Sequence, residues 1–248
     1  MLKFRHIAKP KTVSTNNMTD QQAIKLTTDI FGLIKKARTI ADLEKIPDSL
    51  EIPTKNRMSI DGYPKIEFEI NPEEIQALID NKIIDKELNF PKDVTSKLTD
   101  TFAKLLYATA WKNGDLKKIK HIIKGILDTK NGNDNQEDAL VFYQFGKYLT
   151  KTPGQPIIDQ HVIRAFAIYK LTDNEKTTAI RKLQTLDSSH RQLIGTYKKW
   201  LISNEITKEL RQEKDYTYHI DKLLFATGKT IKFRKPKDKK SISKSNNN

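Results

Sequence analysis

Apolar positions recur at helical spacing through most of this chain and alternate in strand fashion in only one place. Ala23, Ile24, Leu26, Ile30, Leu33 and Ile34 follow one another at the short intervals of a single helix face. Thr19-Asp-Gln-Gln22 places a capping box ahead of them, so the pattern predicts a helix running to about Arg38. A shorter helix is predicted over Ile40–Ile46, ending at Pro47. Lys65-Ile-Glu-Phe-Glu-Ile70 is the strand-like stretch, and Thr230-Ile-Lys-Phe233 is a candidate to pair with it. One strand does not make a sheet.

Asn71-Pro72-Glu-Glu opens the next helix, with a capping residue and a proline at the first helical position. Beyond it the pattern predicts helices over about 72–82, 94–111, 115–128, 136–150, 159–170, 173–184, 187–203 and 206–226. The breaks fall at Asn113-Gly114, Asn131-Gly132-Asn133 and Thr152-Pro-Gly154. The expected fold is therefore mainly α, a multi-helix globular body with at most a short β element in its N-terminal part. The expected division is an N-terminal lobe over 1–71, a helical body over 72–228 and a basic tail over 229–248.

Composition sharpens this picture. Hydrophobic residues make up 37% of the 248 positions and charged residues 31%, which suits helices with wide solvated faces. No cysteine is present, which removes disulfides, thiolate zinc sites, cysteine-held iron–sulfur clusters and a cysteine nucleophile. The residues after Met1 form no signal-peptide apolar run, and no stretch of eighteen apolar residues exists, so a cytoplasmic protein without a membrane span is expected. The formal net charge is +14. Residues 229–244 hold +7 of it and residues 1–12 hold +4, leaving +3 for positions 13–228. Basic segments of this kind bind phosphate backbones through counterion release, and otherwise serve as solubilising ends.

Most chemical motifs fail on inspection. Gly228-Lys229-Thr230 ends like a phosphate-binding loop, but Leu223 stands where the first glycine belongs. The five histidines form no metal-spaced set, and the acidic run Asp128–Asp138 puts Lys130 or Gln136 where a calcium loop needs an oxygen or a glycine. No metal and no cofactor are expected. Trp111 stands among Lys112, Lys117, Lys118 and Lys120; it reads either as a core residue or as a base-stacking side chain.

One segment carries more. In Gln155-Pro-Ile-Ile-Asp159-Gln-His161-Val-Ile-Arg164-Ala-Phe166 an apolar pair leads into an aspartate that opens a helix. Helix grammar alone accounts for an N-capping aspartate, and Val162, Phe166 and Tyr169 read as a core face. The order of residues nevertheless resembles the catalytic stretch of the helix-hairpin-helix DNA glycosylase superfamily, the relatives of endonuclease III, adenine glycosylase and 8-oxoguanine glycosylase. There an apolar run precedes the catalytic aspartate, followed by x-(His/Asn)-(Val/Ile)-x-Arg. The detailed resemblance covers about residues 128–169.

That resemblance implies a helix-hairpin-helix glycosylase-type body and double-stranded DNA as partner. It also implies Asp159 as the carboxylate that stabilises positive charge developing on the sugar as an N-glycosidic bond breaks. The family hairpin reads Leu-Pro-Gly-x-Gly with a lysine shortly after it, whereas Thr129-Lys-Asn-Gly132-Asn-Asp-Asn-Gln-Glu137 has one glycine and places Glu137 near the lysine position. Lys130 and Lys147 both fall out of register with it. The expectation is therefore a divergent, monofunctional glycosylase that uses water, the alternative being a non-enzymatic DNA-binding protein of the same fold. Candidate DNA contacts are Gly132, Lys130, Lys147, His161, Lys229, Arg234 and Lys235.

Overall fold

A computed structural model describes residues 18–59, 61–130, 132, 138–171 and 174–234. Among them lie twelve α-helices and no strand. The helices are α1 (Asp20–Ile34), α2 (Ile40–Ser49), α3 (Pro72–Asp80), α4 (Val94–Lys97), α5 (Thr101–Asn113) and α6 (Leu116–Lys130). They continue as α7 (Leu140–Leu149), α8 (Gln160–Tyr169), α9 (Thr177–Arg181), α10 (Arg191–Leu201), α11 (Lys208–Gln212) and α12 (Tyr216–Ile231). The mainly helical reading holds, and no described helix is long and apolar enough to cross a membrane.

Local grammar explains several of these boundaries. Thr19 and Gln22 form the reciprocal capping box that opens α1, and Thr39 with Asp42 does the same for α2. Gly114 closes α5 in the left-handed region at φ 72°. Pro47 does not stop α2, which runs on to Ser49. The predicted helix over 94–111 is interrupted where Leu98 turns extended, and Asp100 caps α5 afresh. The predicted 206–226 helix is likewise divided, because Glu213 is extended and Asp215 takes a left-handed conformation before α12.

The expected strand is absent. Residues 64–70 run without regular structure. They are held by an amide bond from Ile70 to the Leu149 carbonyl (3.0 Å) and by Lys151 Nζ donating to the Ile66 carbonyl (2.6 Å). The candidate partner, Thr230–Phe233, is unavailable because α12 continues through Ile231.

Helices on both sides of residue 71 share the largest core. Ile30, Phe31 and Ile34 of α1 and Leu43 of α2 pack with Val162 and Phe166 of α8, Tyr197 and Trp200 of α10, and Leu224 of α12. Phe166 sits among the rings of Phe31, Tyr197 and Trp200 at centroid distances of 5.0–6.1 Å. A second cluster joins Ile75, Ile84, Ile123 and Ile126. Between the two, α6 and α7 form a helical hairpin with unusually close backbones. A Cβ added to Gly125 would lie 2.0 Å from the Tyr143 carbonyl oxygen, and one on Gly146 would lie 2.0 Å from that of Ile122.

Candidate functional site

Asp159 is the N-cap of α8, in extended conformation at φ −142° and ψ 178°. Its Oδ1 accepts the backbone N–H groups of His161 (2.6 Å) and Val162 (2.8 Å), which have no intrahelical partner of their own. Oδ2 accepts no hydrogen bond from the described residues. The carboxylate is half-buried, while Ile158 before it and Val162 after it are buried.

The approach to this cap is tied down from below. The Ile157 amide donates to Oδ2 of Asp221 (2.7 Å), whose Oδ1 accepts the Tyr197 hydroxyl (2.5 Å). Asp221 is buried in α12, and burial pushes its carboxyl well above the usual carboxylate range; the nearby Asp159 charge acts in the same direction. Burial likewise raises the Tyr197 hydroxyl.

Behind the cap, Arg164 is fully buried. Its Nη1 lies 2.6 Å from His161 Nδ1 and 2.9 Å from the Gly228 carbonyl, and its Nη2 donates to the Leu183 carbonyl. Its Nε has no partner among the described residues. Burial pulls this guanidinium down to about 10, with the Asp159 charge opposing, so it remains charged at neutral pH. Burial also lowers His161, Asp159 again opposing. Arginine has no acceptor, so Nδ1 of His161 must supply the lone pair and the ring proton resides on Nε2. The imidazole meets Phe225 edge-on at 5.1 Å. Arg164 is thus a strut that fixes α8 against α12 and holds His161 in one orientation.

Gly228 makes this approach possible. A Cβ there would lie 1.9 Å from the His161 carbonyl oxygen, so α8 and α12 touch backbone to backbone. The glycine of the discarded phosphate-loop pattern is a packing residue.

The remaining candidate residues are dispersed. Gly132 is exposed in the left-handed region at φ 66°. Lys130 pairs with Glu73 at 2.5 Å. Lys147 is 3% exposed, its ammonium 5.2 Å from the Tyr143 ring centroid, which places it in the α6–α7 packing rather than on a phosphate-facing surface. Lys229 is half-buried over Phe225, Arg234 is exposed, and Lys235 lies outside the described residues, as do Asn131 and 133–137 of the hairpin, including Glu137. Trp111 is 67% exposed, so it is not a core residue. No group of three or more histidine, aspartate or glutamate side chains poised to hold a metal occurs among the described residues.

Three cavities are formed by other parts of the chain. A space of about 370 Å³ lies between Lys65, Tyr148, Lys151 and Asp215. One of about 140 Å³ lies between Leu43, Arg57 and His219, and an open recess is lined by Asp138 and Arg191. Asp159 lines none of the three.

Sequence reasoning missed Asp221 and Arg181. The first was accessible: Asp221, Leu224 and Gly228 share one face of α12, so a carboxylate falls on its apolar stripe. No family model, no curated protein and no solved structure matches this chain.

Proposed function

We propose that this protein is a DNA-binding, monofunctional N-glycosylase of the helix-hairpin-helix type, with Asp159 as its catalytic carboxylate. The observation that carries the reading is the disposition of Asp159. One carboxylate oxygen is spent on the helix cap, and the other has no partner among the described residues. His161 and Arg164, the two residues the family pattern requires, meet directly behind it. In such a reaction water adds to C1′ of a flipped nucleotide as the N-glycosidic bond breaks. The departing base takes up a proton, and the anionic carboxylate stabilises the cationic sugar.

A second reading is a DNA-binding protein without chemistry, favoured by Asp159 lining none of the three cavities. Release of free base from duplexes carrying deaminated, alkylated or oxidised bases separates the two. Asp159→Asn preserves the cap, since asparagine caps helices as well as aspartate. The wild type is expected to release base and the variant to lose about 10²–10⁴ in rate. Equal rates would remove Asp159 from the mechanism, and no release of any base by the wild type would leave the second reading.

A further inference from the structure

The cavity of about 370 Å³ lies where the start of α12, the end of α7 and the extended residues 65–69 come together, and Asp159 lines no part of it. Small-molecule sites occupy roughly 300–1,000 Å³, a range this space enters. Asp215, the N-cap of α12, makes no capping hydrogen bond; its carboxylate turns instead to Lys65 Nζ at 2.7 Å. Tyr216 and Thr217, in the first turn of the same helix, line the cavity. A helix end with partial positive charge and no side-chain cap on its amides therefore borders this space.

Two further groups of the inner wall are unspent. Tyr148 is only 4% exposed, and its hydroxyl has no hydrogen-bond partner among the described residues. Lys151 holds its ammonium 4.2 Å from the Tyr148 ring centroid and gives one of its three protons to the Ile66 carbonyl. No carboxylate of the described residues lies within ion-pairing distance of that ammonium, and burial lowers it from the usual lysine range, with the Asp215 charge opposing. Lys151 and Asp215 both take left-handed conformations, at φ 54° and 63°, and such strain gathers at ligand clamps. The outer rim has the opposite sign. Glu67, Glu69 and Glu213 line the cavity from exposed positions against one exposed cation, Lys214, while Arg211 is spent on the Ile202 carbonyl and Asn204.

We propose that this cavity is a binding site for a small zwitterion, a molecule with a carboxylate or phosphate group at one end and an ammonium group at the other. The anionic end lies against the first turn of α12, where Lys151 and the Tyr148 hydroxyl supply the donors they leave unused. The ammonium end faces Glu67, Glu69 and Glu213 at the rim. A simple anion would satisfy the inner wall but meet three uncompensated carboxylates on its way in, and a simple cation would leave the inner donors unpaired. The proposal stands apart from the reading of Asp159, because no residue of the two sites is shared.

The test is calorimetric titration of the full chain with ε-aminocaproate and with phosphoethanolamine, which separate a carboxylate from a phosphate at the inner end. Caproate, inorganic phosphate and hexylammonium serve as single-charge probes. One of the two zwitterions is expected to bind with one molecule per chain, about tenfold tighter than the matching anion and than hexylammonium, as one added charge-assisted contact implies. Lys151→Gln removes the ammonium, and Tyr148→Phe removes only a hydroxyl that bonds to nothing among the described residues. Each is expected to weaken the complex about tenfold. Because Tyr148→Phe breaks no bond of the folded chain, its denaturation midpoint is expected to match wild type, which keeps the test open if Lys151→Gln fails to fold. Absence of binding by both zwitterions would overturn the proposal. So would hexylammonium or a simple anion binding as tightly as the zwitterion, or wild-type affinity in either folded variant.

Discussion

Replacing Gly228 by alanine puts a methyl group where α8 and α12 touch. The new carbon would stand 1.9 Å from the His161 carbonyl oxygen, 2.6 Å from its carbon and 2.9 Å from its Cα. Ordinary carbon–oxygen contacts lie at about 3.3 Å, so the helices must part by about 1.4 Å. The obstacle is backbone, which cannot rotate aside as a side chain can. Overpacking of this kind costs typically 1–3 kcal/mol and occasionally more, against which alanine gains about 1 kcal/mol in a helix interior. Because backbone cannot give way, the upper end of that range applies, and the net expectation is a loss of about 2 kcal/mol. With a urea dependence near 3 kcal/mol/M, the unfolding midpoint falls by about 0.7 M. Gly32 in α1 and Gly195 in α10 supply internal controls, because an added Cβ meets nothing within 4 Å at either. Gly32→Ala and Gly195→Ala are expected to raise the midpoint by up to about 0.3 M. A Gly228→Ala midpoint at or above wild type would refute the close crossing, and with it the packing of the His161 end of α8 against α12.

Arg164→Met removes the guanidinium and leaves the Gly228 and Leu183 carbonyls without that donor; a loss of about 1–3 kcal/mol is expected, and no loss in chemical denaturation would contradict the strut. Asp221 has a raised folded-state pKa, so the folded protein holds a proton that the unfolded chain releases above about pH 4. Stability contributed at this site therefore falls as pH rises from there, and Asp221→Asn, which can donate to Tyr197 and accept from Ile157, is expected to flatten that fall. Denaturation midpoints between pH 4 and 8 that run parallel in the two proteins would contradict it. Trp111→Ala, at a side chain 67% exposed, should shift stability by less than about 0.5 kcal/mol; a loss above 1.5 kcal/mol would show the indole to be packed.

The helices were legible where their signals are local. Thr19 and Gln22 announce α1, Asn71 and Pro72 announce α3, and the apolar spacing of Val162, Phe166 and Tyr169 gives the inward face of α8. The segment around Asp159 was legible as a helix start for the same reason. Lys65–Ile70 failed because alternation reports which side chains face inward, not whether another strand lies alongside, and here the neighbours are Leu149 and Lys151. Trp111 failed because an apolar residue on a helix does not reveal whether anything covers it. The Arg181–Asp20 pair spans 161 positions, a separation at which no periodicity operates.

The α6–α7 hairpin also has a bearing on how the chain reaches its native state. Its touching backbones, Gly125 on Tyr143 and Gly146 on Ile122, join residues fewer than thirty positions apart. Closing so short a loop loses little chain entropy, whereas the buried Arg181 side chain, which donates to the Met18 and Ile231 carbonyls, must gather them from far along the chain. The hairpin is therefore expected to form early and the Arg181 bonds late. Substitutions at Gly125 or Gly146 should slow folding, while loss of the Arg181 bonds should chiefly hasten unfolding.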